Sequence, residues 1–175
     1  DESDEKLLPL KQLIDLGIPW GCDLKKLTNF LRDGLPDRSA AMAPEVVDIR
    51  LMITNFGQCG ESDSPTHKSI HDAIRLHAGH KLDHFKIVDR PDEEFQRAAA
   101  CNILHDIARD ESVLLVVDVD MRLGHPYFAH SLAFAVKACL HHLHPLGGSS
   151  RSAQTRTAAG DQHQLALVAV VHLEI

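Results

Sequence analysis

The run Val-Leu-Leu-Val-Val at residues 113–117 constrains the fold more than any other stretch of this chain. Five consecutive apolar residues, rich in β-branched side chains and too few for an ordinary helix, read as a strand buried on both faces. The run ends in Asp118 and Asp120. Successive side chains of a strand alternate, so two acids two residues apart point to one side, with Val119 turned back toward the core. Acids so placed repel each other and lose hydration. A divalent cation such as Mn²⁺ or Mg²⁺ offsets that cost by taking carboxylate oxygens and bridging to phosphates. The same pair also suits a strand that simply ends in two solvated turn residues.

The rest of the chain alternates strand and helix patterns. Residues 12–19 are short and apolar and stop at Pro19 and Gly21, which marks a first strand and a turn. Asp23 caps a helix that buries Leu24, Leu27, Phe30 and Leu31 and closes at Gly34 and Pro36. Residues 46–55 form a second strand. A helix over 66–79 follows, with Ile70, Ala73, Ile74 and His77 on one face. Residues 82–88 form a third strand. The next helix opens at Asp92 or Glu93 and carries an apolar stripe of Phe95, Ala98, Ala99, Ile103, Leu104 and Ile107. Beyond the acid pair, Gly124-His125-Pro126 starts a helix running to Leu140. Residues 146–162 read as a flexible polar loop, and 165–171 as a last strand.

This order predicts a single α/β domain over residues 1–175, Rossmann-like, with a mostly parallel sheet flanked by helices and a tail over 1–11. Ligands of such sheets bind beyond the carboxyl ends of the strands. Pro19-Trp20, Asn55-Phe56, Asp89-Arg90 and the acid pair all fall there. The net charge of −7 argues against a nucleic-acid partner, whose footprint is basic. No apolar run approaches about 18 residues, so neither a membrane segment nor a targeting segment is expected in this sequence. Cys22, Cys59, Cys101 and Cys139 are too dispersed for a metal ribbon, and their pairing stays open. Of the thirteen histidines, His67 with His71 and His80 with His84 have zinc-pair spacing but no Glu to complete a His-Glu-x-x-His pattern; surface positions are expected. Neither a Gly-x-Gly-x-x-Gly turn nor a Lys-Ser/Thr phosphate loop occurs.

The segment Phe95-Gln96-Arg97-Ala98, then a helix, then Leu114-Leu115-Val116-Val117-Asp118-Val119-Asp120-Met121, resembles the chondroitin synthase and chondroitin N-acetylgalactosaminyltransferase family. These are glycosyltransferases of the GT-A fold, related to β-1,4-galactosyltransferases, in which a Phe-(Ser or Asn)-Arg-(Ala or Gly) segment precedes an Asp-x-Asp motif. Ile14-Asp15-Leu16-Gly17-Ile18-Pro19 is similar to the family's first strand. Ile49-Arg50-Leu51-Met52-Ile53-Thr54-Asn55-Phe56-Gly57 is similar to its second. The similarity covers most of residues 13–136, in the same order.

The resemblance implies a metal-dependent, UDP-sugar-binding domain that transfers a hexose or N-acetylhexosamine to a glycan acceptor, possibly chondroitin-like, in the Golgi lumen or secretory pathway. Asp120 would coordinate Mn²⁺ (or Mg²⁺) bridging the donor phosphates, and Asp118 would hold the ribose or sugar and support the metal. Arg97 would contact the nucleotide-sugar, while Pro19 and Trp20 would line the uridine pocket. Gln96 stands where the family has Ser or Asn, and Cys22-Asp23 where it often has Gly-Arg. The Trp-Gly-x-Glu-Asp segment that carries the family's base has no match, so only the nucleotide-sugar half is expected, without the acceptor-binding half and with no catalytic residue assigned. The alternative is a non-catalytic remnant of that fold, acting as a binding or assembly module.

Overall fold

The computed structural model describes residues 11–19, 22–58, 64–124 and 126–133. Trp20, the expected continuation of a helix beyond residue 133, the expected 146–162 loop and the expected 165–171 strand lie outside these residues. Within them the elements are β1 (Gln12–Ile18), α1 (Leu24–Asn29), β2 (Val47–Gln58), α2 (His67–Ala78), β3 (His84–Glu94), α3 (Arg97–Ile107) and β4 (Ser112–Val116). Residues 127–133 are helical. The four strands are all parallel, in the order β3-β2-β1-β4, so the α/β expectation holds.

Register and period decide which side chains meet. Ile14 lies opposite Ile49 and Val113, and Leu16 opposite Leu51 and Leu115. These residues share a face and pack against Leu27 of α1 and Ile70, Ala73, Ile74 and Ala78 of α2. The alternate residues Met52, Leu114 and Val116 meet Leu104 of α3, with Cys101 and Ile107 beside it. β4 is therefore covered on both sides, as its unbroken apolar run requires. Gly17 permits the close approach of α3, since a Cβ there would lie 2.9 Å from Leu104 Cδ1.

Local chemistry sets the helix ends. Asp23 accepts from Lys26 N at 3.0 Å, capping α1. After Asn29 the helix widens into a π-helical turn over Phe30–Gly34, closed by Leu35 N donating to Phe30 O. The carbonyls at this end need donors. Lys81, only 5 % exposed, supplies them through Nζ to Leu31 O, Arg32 O and Leu35 O at 3.0, 2.8 and 2.7 Å. Cys22 is buried and disulfide-bonded, whereas Cys101 is a free thiol.

The third strand and the helix after it differ from their sequence reading. β2 continues to Gln58, and β3 pairs along it as far as Glu94. Ladder pairing overrides the local helix signal at Asp92 and Glu93. Pro91 is tolerated because β3 is an outer strand of this sheet. The helix thus starts at Arg97, and its buried positions are Ala100 and Leu104, not the wide stripe. Ala98 is exposed. In α2, Ala78 takes the buried position expected of His77.

Asp15 is fully buried in β1. Its carboxylate accepts from Arg50 Nε and Nη2 at 3.1 and 3.2 Å, from Arg109 N and Nε at 2.6 and 2.9 Å, and from Ser112 Oγ at 2.8 Å. Arg109 continues to Asp48, which also meets His84. One carboxylate thereby joins β1, β2 and the entry to β4. Asp15→Ala should cost about 3–5 kcal/mol of stability in urea unfolding, because two guanidiniums lose their common partner.

Asp48 sits below the ordinary aspartate value of 3.8: partial burial pushes it up, and the hydrogen bond and charge of Arg109, helped by His84, more than reverse this. A depressed folded-state value means that its stabilisation is complete above the ordinary value and vanishes as the pH falls through the lower one. Denaturant titrations from pH 6 to pH 2 should show a shallower acid loss in Asp48→Asn than in the unaltered protein.

Candidate functional site

β2 and β3 extend the sheet to one side of β1, while β4 adds on the other. The strand order thus reverses between β1 and β4. Open parallel sheets bind ligands in the crevice at such a point, beyond the carboxyl ends of the strands. The residues after β4 are pinned there. Val117 N donates to Gly17 O at 3.0 Å, Met121 N to Asp118 O at 3.2 Å, and Leu123 N to Gly34 O at 2.7 Å. Val119 is buried in the main core. Asp120 beside it is exposed and Asp118 partly so.

Both acids line a hollow of about 210 Å³ with Lys26, Phe95, Arg97 and Val119. Arg97 Nη1 donates to Asp118 Oδ1 at 2.7 Å, and the two side chains are 48 % and 47 % exposed. Among the described residues Asp120 makes no hydrogen bond or ion pair. Lys26 reaches the hollow from α1 on one face of the sheet, and Arg97 from α3 on the other. Phe95 is braced edge-on by Phe56, with ring centroids 5.6 Å apart and planes at 84°. The hydrogen bond to Asp118 raises the Arg97 pKa, so the guanidinium stays charged. Burial pushes up the Cys101 thiol; Arg97 opposes the shift and Asp118 adds to it.

The acid pair is brought together as its spacing predicts, but by a different route. The strand ends at Val116, and residues 118–121 form a turn, so period-two alternation does not set their direction. Asp120 is exposed and the Asp118 side chain is about half exposed, so the expected desolvation cost is small. Arg97 relieves the charge on Asp118 directly. Pro19 is buried and outside the hollow, its carbonyl accepting from Thr54 Oγ1 at 2.6 Å. Trp20 lies outside the described residues.

Two lining residues went unassigned in the sequence. Phe95 reads as part of a helix stripe, and Lys26 is not singled out by any motif. Only the continuation of β3 and the capping of α1 bring them to this edge.

Among the described residues no group of three or more His, Cys, Asp or Glu side chains is placed to hold a metal ion. Two carboxylates are nonetheless a sufficient protein contribution for Mg²⁺ or Mn²⁺ arriving with phosphate oxygens and water. The donor chemistry of Asp118 and Asp120 therefore fits a phosphate-bound cation and falls short of a dedicated cage. His67, His71, His80 and His84 are instead partly exposed and each lies beside an aspartate. Further along the edge, Asn55 Nδ2 donates to Pro65 O and Asp89 Oδ1, both at 3.1 Å, and Asp89 Oδ2 meets His67 Nδ1.

Comparison of the chain with protein-family models, with curated proteins and with solved structures gives no match. A parallel α/β sheet does not fix function, so the chemistry of this edge rests on its own side chains. No helix among the described residues is long and apolar enough to cross a membrane.

A half-exposed ion pair contributes little to folding. Arg97→Met should therefore lower stability by less than about 1 kcal/mol in urea unfolding, which separates any effect on ligand binding from a loss of fold.

Proposed function

We propose that the hollow binds the diphosphate of a nucleotide-sugar with a divalent cation, and that the chain is the UDP-sugar-binding domain of a GT-A-type glycosyltransferase. The observation that carries this reading is the convergence of Asp118, Asp120 and Arg97 on one hollow where the strand order reverses. Its volume, about 210 Å³, is below the roughly 300–1,000 Å³ of sites that enclose a whole small molecule. It suits a diphosphate with its cation, leaving nucleoside and sugar to neighbouring surfaces.

Asp120, which has no partner among the described residues, is the first carboxylate open to Mn²⁺ or Mg²⁺, and Asp118 is the second. Such a cation supplies charge neutralisation for a departing diphosphate. Arg97 is able to exchange its bond to Asp118 for donor phosphate oxygens, to which a guanidinium gives strong, directed hydrogen bonds. The acceptor is a glycan receiving a hexose or N-acetylhexosamine. The disulfide at Cys22 favours an oxidising compartment such as the Golgi lumen or secretory pathway.

A non-catalytic binding module is the second reading. It is favoured by the lining of the hollow, in which no histidine and no carboxylate besides Asp118 and Asp120 is found among the described residues.

Calorimetry with UDP in the presence of Mn²⁺ tests the donor site. Binding is expected in the micromolar to millimolar range, with at least a roughly tenfold loss in Asp120→Ala, as removal of a charged ligand group requires. UDP affinity that is the same with and without Asp120 rules out the assigned metal role.

A further inference from the structure

We propose that Lys26 is a second phosphate-binding cation of this hollow, opposite Arg97, and that the pair grips the diphosphate from both faces of the sheet. The inference rests on the donor-site reading and adds a residue to it. Lys26 sits in the first turn of α1, where the Asp23 cap holds its backbone N at 3.0 Å and the adjacent Leu27 is fully buried. The stem of the side chain thus leaves a fixed point, and the residue is exposed. Arg97 begins α3, on the other side of the sheet. A ligand between them meets a cation from each helix layer.

The charges in the hollow support this division. Lys26 and Arg97 balance Asp118 and Asp120. A neutral hollow gives no net attraction to a bare anion or a bare cation. A divalent cation with the diphosphate of a nucleotide-sugar is itself close to neutral, and its two ends match the two kinds of side chain. The carboxylates take the cation, and the ammonium and guanidinium take the phosphate oxygens. Ammonium is suited to this as a compact charge with three rotatable donors that follow a flexible diphosphate. Lys25, exposed on the same helix and absent from the lining, supplies the internal control.

The test is calorimetry on the full chain with UDP and with inorganic diphosphate, each with Mn²⁺, alongside thermal unfolding. Lys26→Ala should weaken both ligands by roughly ten- to a hundredfold, the loss expected for a hydrogen bond to a charged group. Lys26→Arg should restore most of the affinity, Lys25→Ala should leave it unchanged, and the melting temperature should stay the same throughout. UDP affinity unchanged in Lys26→Ala overturns the proposal. So does a loss that comes with a lowered melting temperature and is not rescued by Lys26→Arg, since that marks a structural role. Absence of UDP binding to the unaltered protein overturns the donor-site reading, and the role of Lys26 with it.

Discussion

The buried carboxylate of Asp15 is the interaction on which the rest of this fold depends. It has no exposure, yet it sits in the central strand between a guanidinium from β2 and one from the turn before β4. Burying a charge is costly unless every lone pair finds a donor, and here five donor groups converge on two oxygens. Such a constellation forms only when β1, β2 and β4 are in one register. A slip by one residue would carry Asp15 to the apolar face packed by α1 and α2 and would turn Ile14 and Leu16 away from their helices.

Register set at the amino-terminal half of the sheet carries through to the other edge. With β4 beside β1, Val117 reaches Gly17 O, Val119 enters the core and the following loop meets the end of the π-helical turn. That turn is in turn closed by Lys81, whose three hydrogen bonds tie the segment after α2 to the end of α1. The acid pair is thus held by backbone bonds from two elements, while Asp120 is exposed and Asp118 half-exposed. A rigid frame with solvated charges at its rim suits a ligand that brings charge of both signs.

Much of the frame was legible in residue patterns. The alternation of apolar runs with helical stripes predicted a parallel α/β sheet, and Val113–Val117 predicted a strand covered on both sides. Asp23 announced the helix start it caps. Less was legible where two elements compete for the same residues. Asp92 and Glu93 look like a helix opening, but the long partner strand β2 recruits them into β3, and only that extension puts Phe95 at the hollow. A lone Asp15 within an apolar strand, facing Arg50 one strand away, was a visible signal whose meaning needed the pairing of β1 with β2.

The sequence by itself determined the element types, the covered strand β4 and the presence of two acids just after it, because periodicity and local capping are short-range properties of a chain. Tertiary structure decided which charges answer those acids. Arg97 lies 21 residues before Asp118, and Lys26 arrives from the opposite helix layer. Their meeting depends on strand order and on the face each helix covers, and neither is encoded in any local run of residues.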